Sequence, residues 1–211
     1  DMEFDVVDAE AISAGRATDA YFERTEAALE AAGRDPHVVA EVTADQFPDG
    51  SFELLAGVRD AAALLEPLPV DVDAMRAGRL FDGGPVMRVE GSYRAFARYE
   101  TALLGFLSHA SGIATAALAC RRAAPDATLL SFGARHVHPS IAAMVERTPL
   151  TAALLALSTA SAAAASGPVP SGTMPHALLP CLGRGEQQAA WRACDEAPPP
   201  AVPRHARAHP H

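Results

Sequence analysis

Three short strings hold most of the side chains able to do chemistry: ATDAYFERT at 17–25, SFGARHVHP at 131–139 and SGTMPHALL at 171–179. In the second, a buried-looking strand ends at Phe132-Gly133 and delivers Arg135, His136 and His138 to the loop that follows. The C-terminal ends of parallel strands are where α/β folds place their sites. A guanidinium grips carboxylate or phosphate through its two-pronged fork, and a neighbouring aromatic can stack on a flat ring. The plainer alternative is a helix-entry loop with Arg135 in a structural ion pair. His136 and His138 lie two apart, so on an extended segment they would face the same side. Without a nearby carboxylate or cysteine they make a poor metal pair, and no metal site is expected from the protein's own ligands. His176 follows Pro175 in a turn-rich segment, where an imidazole can act as acid, base or nucleophile or can simply be solvated. Asp19 and Tyr21, read within a helix, do not share a face, and an ordinary N-terminal helix is their simplest reading.

The elements that must carry these residues follow from periodicity and punctuation. Glu10 to Ala32 reads as one helix stopped by Gly33. His37 to Ala44 and Ser51 to Leu55 read as strands flanking a Pro-Asp-Gly turn. Asp60 to Leu65 is a short helix before a Pro-punctuated loop, and Val86 to Gly91 a strand. Ser92 to Arg122 keeps apolar residues at three- and four-residue spacing, as one long helix or a helix pair. Ala127 to Gly133 reads as a buried strand. Pro139 to Arg147 is a helix with proline at its first position. Gly172 to Leu179 reads as a short strand, and Arg184 to Ala197 as a helix with Trp191 on one face. The second half alternates strand and helix, which favours a parallel sheet or barrel.

At 211 residues, with 49% hydrophobic and 20% charged side chains, the chain has ample material for a core. It contains no lysine and carries a net charge of −9. Such a balance argues against nucleic acid or an anionic membrane as the main partner, while leaving room for a local arginine-lined phosphate site. Cys120, Cys181 and Cys194 give neither a disulfide framework nor a zinc set, and suit a reducing, cytoplasmic setting. The acidic start lacks a signal-peptide pattern. The uncharged stretch Thr148 to Gly183 is rich in alanine and holds Pro149, Pro168, Pro170, Pro175 and Pro180, so a membrane span is not expected there. Charge changes character near residue 150: residues 1–150 hold 23 acids and 13 arginines, residues 151–211 three acids and four arginines. The ending APPPAVPRHARAHPH is Pro- and His-rich and expected to be disordered.

The strings ATDAYFERT, VMRVEGSYRAFARYETALLGFLSHASGIAT, SFGARHVHPSIAAMVER and SGTMPHALL, in this order, resemble the nicotinate phosphoribosyltransferase family in its shorter archaeal and bacterial form. The resemblance covers residues 10–147 and 171 to about 204. It implies a type II phosphoribosyltransferase-like α/β fold: an N-terminal α/β domain (1–118), the first part of an irregular, incomplete α/β barrel (119–197), and a tail (198–211). It implies an enzyme of NAD biosynthesis that joins nicotinate to phosphoribosyl pyrophosphate, with Mg²⁺ and with ATP hydrolysis coupled through a transient phosphohistidine. It also implies a homodimer whose active site is shared across subunits. By position, Tyr21 resembles the tyrosine that stacks on the pyridine ring from the partner subunit, with Asp19 beside it. Phe132 resembles the aromatic on the ring's other face, and Arg135 the arginine at the nicotinate and phosphoribosyl site. His176 resembles the histidine that is phosphorylated, and Thr173 belongs to the same substrate-binding string.

Two departures qualify the resemblance. The family's Gly-Gly-x-Asp-Gly turn would place its aspartate at Leu155, inside TAALLALSTASAAAASGPVP, where neither the glycines nor the acid occur. The family also continues beyond the point, near Val202-Pro203, at which the likeness stops. From these the chain alone is expected to show little or no transferase activity. The competing reading is a catalytically inactive remnant or dimerising module of the family.

Overall fold

A computed structural model describes residues 6–44, 47, 53–152, 156–157, 172–173, 177–182, 187–196 and 204–205. The fold is mixed α/β, and the chain divides into two compact units: residues 1–125 with 151–153, and residues 126–150 with 154–211.

The first unit opens with two helices, α1 (Ala9–Ser13) and α2 (Ala20–Ala31), where one was expected. The break has a local cause. Gly15 takes φ +68° and lies so close to Arg98 that an added Cβ would stand 2.6 Å from its Cδ. Only glycine tolerates both the backbone and the approach. Arg98 is in turn paired with Glu26 of α2 through two of its nitrogens, so the break and α2 share one anchor. Gly33, at φ +62°, ends α2 as the sequence indicates.

Three antiparallel strands follow, in the order β1 (His37–Val42), β5 (Met87–Ser92), β3 (Val70–Ala74). Val38, Gly91 and Val70 form one row of the core face, Ala40, Val89 and Val72 the next, and Val42, Met87 and Ala74 the third. Gly91 is required in its row, because a Cβ there would meet Val70 Cγ1 at 2.9 Å. The opposite face is charged, with Arg88 between Glu41 and Asp73. The two strands flanking the Pro-Asp-Gly turn do not pair with each other. β1 joins β5, while β2 (Glu53–Leu54) joins β4 (Leu80–Phe81). β3 and β4 occupy the segment expected to be a loop. VDVDA carries aspartates at alternate positions and gains strand structure from its edge pairing with β5 rather than from intrinsic preference.

Against the core face lie α3 (Val58–Leu65) and the helical run α4 (Tyr93–Phe96), a 3₁₀ turn at Ala97–Tyr99, and α5 (Glu100–Ala123). Of the two readings, one long helix or a helix pair, the structure shows a short helix and a long one joined by the 3₁₀ turn. Leu55, Leu65, Phe81, Met87, Val89, Phe96, Leu103 and Leu107 share one buried cluster. The run Tyr93–Ala123 is long and apolar enough to cross a membrane by composition. Here it is the core helix of the unit, burying Leu103, Leu107, Ala110, Ser111, Ala114 and Ala117. Its hydroxyls also serve as hydrogen-bond partners for β2. Thr115 Oγ1 accepts from Leu54 N at 2.8 Å and Ser111 Oγ from Ala56 N at 3.0 Å, while Leu55 N turns the other way to Arg79 O.

The second unit holds β6 (Leu130–Ser131), paired parallel with β7 (Ala156–Leu157), and α6 (Ala142–Arg147). The expected strand at 127–133 is thus short, and its parallel pairing agrees with the strand–helix alternation. Pro139 starts a 3₁₀ turn (Pro139–Ile141) that leads into α6. β8 (Gly172–Thr173) pairs parallel with β9 (Arg204–His205), so these two residues of the expected tail are in a strand. α7 (Leu178–Leu182) takes over where the sequence suggested that strand would continue, and α8 (Gln187–Glu196) carries an exposed Trp191.

Candidate active-site residues

In the first unit, Asp19 is not inside a helix but is the residue before α2, with extended backbone. Its side chain does not cap α2. Instead Thr101 Oγ1, in the first turn of α5, donates to Asp19 Oδ2 at 3.1 Å and accepts from Asp19 N at 3.1 Å. This reciprocal pair ties the start of α2 to the start of α5. Two residues on, Tyr21 stands 53% exposed beside Phe22, which is 1% exposed, with ring centroids 4.2 Å apart. The phenol therefore projects from a rigid platform. Partial desolvation, then the carboxylates of Glu100 and Asp19 and the ring of Tyr93, raise its pKa above the ordinary tyrosine range and keep it neutral. Burial, then Asp19, also raises the Glu100 carboxyl. The surface is an aromatic face with two acids beside it, suited to a flat heterocycle whose ring becomes cationic.

In the second unit, Phe132 is 41% exposed and Arg135 is exposed, both on the loop that leaves β6. Gly133–His136 coils into a 3₁₀ turn rather than an extended segment. The premise that would have aligned His136 with His138 therefore fails. His138 is the residue before the Pro139 turn, and its Nδ1 accepts from Ser140 N at 3.2 Å. That nitrogen is engaged in capping. Among the described residues no three His, Cys, Asp or Glu side chains converge as a metal site.

Thr173 lies in β8, and His176 lies outside the described residues, as does Leu155. Asp19 and Tyr21 are brought together in one unit, and Phe132 and Arg135 in the other. The sequence did not single out Thr101, Glu100 or Glu146. All three lie in strings that carry the resemblance, but Thr101 and Glu100 meet Asp19 only because the chain returns much later, Thr101 lying 82 residues on. Glu146 sits in α6, 0% exposed, where a charged side chain gives no periodic signal of burial.

Known proteins share this fold. Residues 19–111 match the family model for the quinolinate phosphoribosyl transferase N-terminal domain. The nicotinate-nucleotide pyrophosphorylase structure from Pyrococcus furiosus superposes with a TM-score of 0.90 at 42% identity, over 96% of this chain and 52% of that one. Human nicotinic acid phosphoribosyltransferase gives a TM-score of 0.69 at 25% identity, over 78% of this chain and 40% of that one. The architecture is thus that of the type II phosphoribosyltransferases. Nicotinate phosphoribosyltransferase pncB1 of Mycobacterium tuberculosis is 32% identical over 126 residues, which is 58% of this chain and 28% of that protein. The chain is similar to nicotinate phosphoribosyltransferases, and spans about half or less of the length of these relatives.

Proposed function

We propose that the protein acts as a nicotinate phosphoribosyltransferase, forming nicotinate mononucleotide and pyrophosphate from nicotinate and phosphoribosyl pyrophosphate. The observation that carries this is Tyr21, a neutral aromatic held outward by the Asp19–Thr101 pair, in a chain similar to these enzymes. In this reading Tyr21 covers one face of the pyridine and Phe132 the other, while Arg135 holds an anionic group. Thr173 contacts substrate. His176 accepts the γ-phosphoryl group of ATP on an imidazole nitrogen, releasing ADP, and Mg²⁺ arrives with the pyrophosphoryl substrate. The transition state is oxocarbenium-like, so positioning and electrostatics outweigh covalent chemistry in the transfer itself. The enzyme works as a cytoplasmic homodimer in which Tyr21 serves the partner's site.

Quinolinate is the competing substrate, because the matched family model is that of the quinolinate enzymes. A dicarboxylate calls for several basic side chains, and this chain has no lysine. The test offers purified chain nicotinate or quinolinate with phosphoribosyl pyrophosphate, Mg²⁺ and ATP, and follows mononucleotide by chromatography. Product from nicotinate alone, raised by ATP and lost in His176→Ala, supports the proposal. Product from quinolinate replaces it. No product from either is what the absent Gly-Gly-x-Asp-Gly turn leads one to expect of the chain alone; nicotinate binding without turnover then supports the substrate reading, and loss of binding as well leaves the inactive module.

A further inference from the structure

We infer that Glu146 is the positioning residue for the loop that presents Phe132 and Arg135, which rests on the reading of that loop as the nicotinate site. Glu146 is the largest polar side chain buried in the described part of the second unit, at 0% exposure. Burying a carboxylate is costly unless it does something a leucine could not. Its Oε1 accepts from Ala134 N at 3.4 Å. In sequence, Ala134 lies between Phe132 and Arg135.

The neighbouring pair completes the grip. Val145 Cγ1 sits where it would be 2.9 Å from any Cβ on Gly133. Two consecutive residues of α6 thus hold two consecutive residues of the loop, one by packing and one by a carboxyl acceptor. The loop needs this. Gly133–His136 is a single 3₁₀ turn, a form with poor internal hydrogen bonding. An outside acceptor fixes where the turn begins, and so where Phe132 and Arg135 stand relative to each other. Small misplacement of such groups is expensive for binding and turnover.

The test uses the full 211-residue chain with Glu146→Gln, Glu146→Leu and, as a stability control on another helix of the unit, Ala190→Gly. Three readouts are taken: nicotinate affinity by calorimetry, amide exchange at Ala134 by NMR, and the urea midpoint. Glu146→Leu is expected to speed Ala134 exchange and weaken nicotinate binding by roughly fivefold each, the size of one lost buried hydrogen bond. Glu146→Gln, which keeps a carbonyl acceptor, should fall between wild type and Leu in both. Ala190→Gly should lower the midpoint without either change. The inference is overturned if the Glu146 variants merely track Ala190→Gly at equal loss of midpoint, or if Ala134 exchange is unmoved in Glu146→Leu and Glu146→Gln. Should wild type fail to bind nicotinate, the functional reading falls, and exchange at Ala134 relative to the control still decides whether Glu146 sets the loop. If Glu146→Leu does not fold, Glu146→Gln decides by the same readouts, with smaller shifts expected.

Discussion

Tyr21 and Glu100 show how much of a side chain's behaviour is set by neighbours far away in sequence. Tyr21 keeps its phenolic proton, its pKa being raised, and so offers an uncharged ring to a ligand. Tyr21→Phe should therefore keep nicotinate affinity within about twofold, whereas Tyr21→Ala should lose about tenfold, in line with the worth of an aromatic pair plus its buried area. Calorimetric titration separates the two. Glu100 gives a pH signature. Its folded-state pKa is raised above the ordinary 4.5, so the folded protein holds that proton more tightly than the unfolded chain does. The stabilisation is present below 4.5 and is lost as pH rises through the folded value. Acidification from neutral should thus improve wild type relative to Glu100→Gln. Urea midpoints of both proteins at about pH 7 and near pH 4.5 would show it, and an unchanged difference would remove the claim.

Among the elements, those whose pattern and packing agree were legible from the residues alone. The spacing of Leu103, Leu107, Ala110, Ala114 and Ala117 announces α5, and each of these is buried. Pro139 marks the start of the turn into α6, and Gly33 the end of α2. β3 was hidden because aspartate is a poor strand former and Pro67 and Pro69 mark a loop just before it, so the apolar–polar alternation of VDVDA becomes a strand through its pairing with β5. At the break between α1 and α2, the left-handed Gly15 is a local stop, while its close approach to Arg98, far along the chain, leaves no mark in the neighbouring residues. Of the candidate site, the types and strings were legible, but Thr101 and Glu146 act through tertiary approach and leave no local mark. Gly57 makes the same point as a test. It sits at φ +78°, and a Cβ there would lie 2.1 Å from Phe106 O. Gly57→Ala should cost more than the ~1–2 kcal/mol of left-handed backbone alone. Ser111→Ala should cost about 1–3 kcal/mol by orphaning the buried Ala56 amide. Chemical denaturation measures both.

At the scale of the molecule, the functional proposal needs two copies of the chain, because the ring of Tyr21 is read as serving a partner's site. Tyr21→Ala and Arg135→Ala should each weaken nicotinate binding at every site. Unfolding and refolding the two together should return about a quarter of the sites to wild-type affinity, the share expected when random pairing gives each mixed dimer one intact site. No recovery, with dimers present by sedimentation, would place both residues in one copy's site instead. The flank of β2 against α5 carries a last consequence for how the protein survives crowding with its own kind. Leu54 and Ala56 have already given their amide protons to Thr115 and Ser111. A stray extended peptide arriving there finds no donors to recruit, so that side cannot seed the stacked fibrils for which an open strand edge is the usual template.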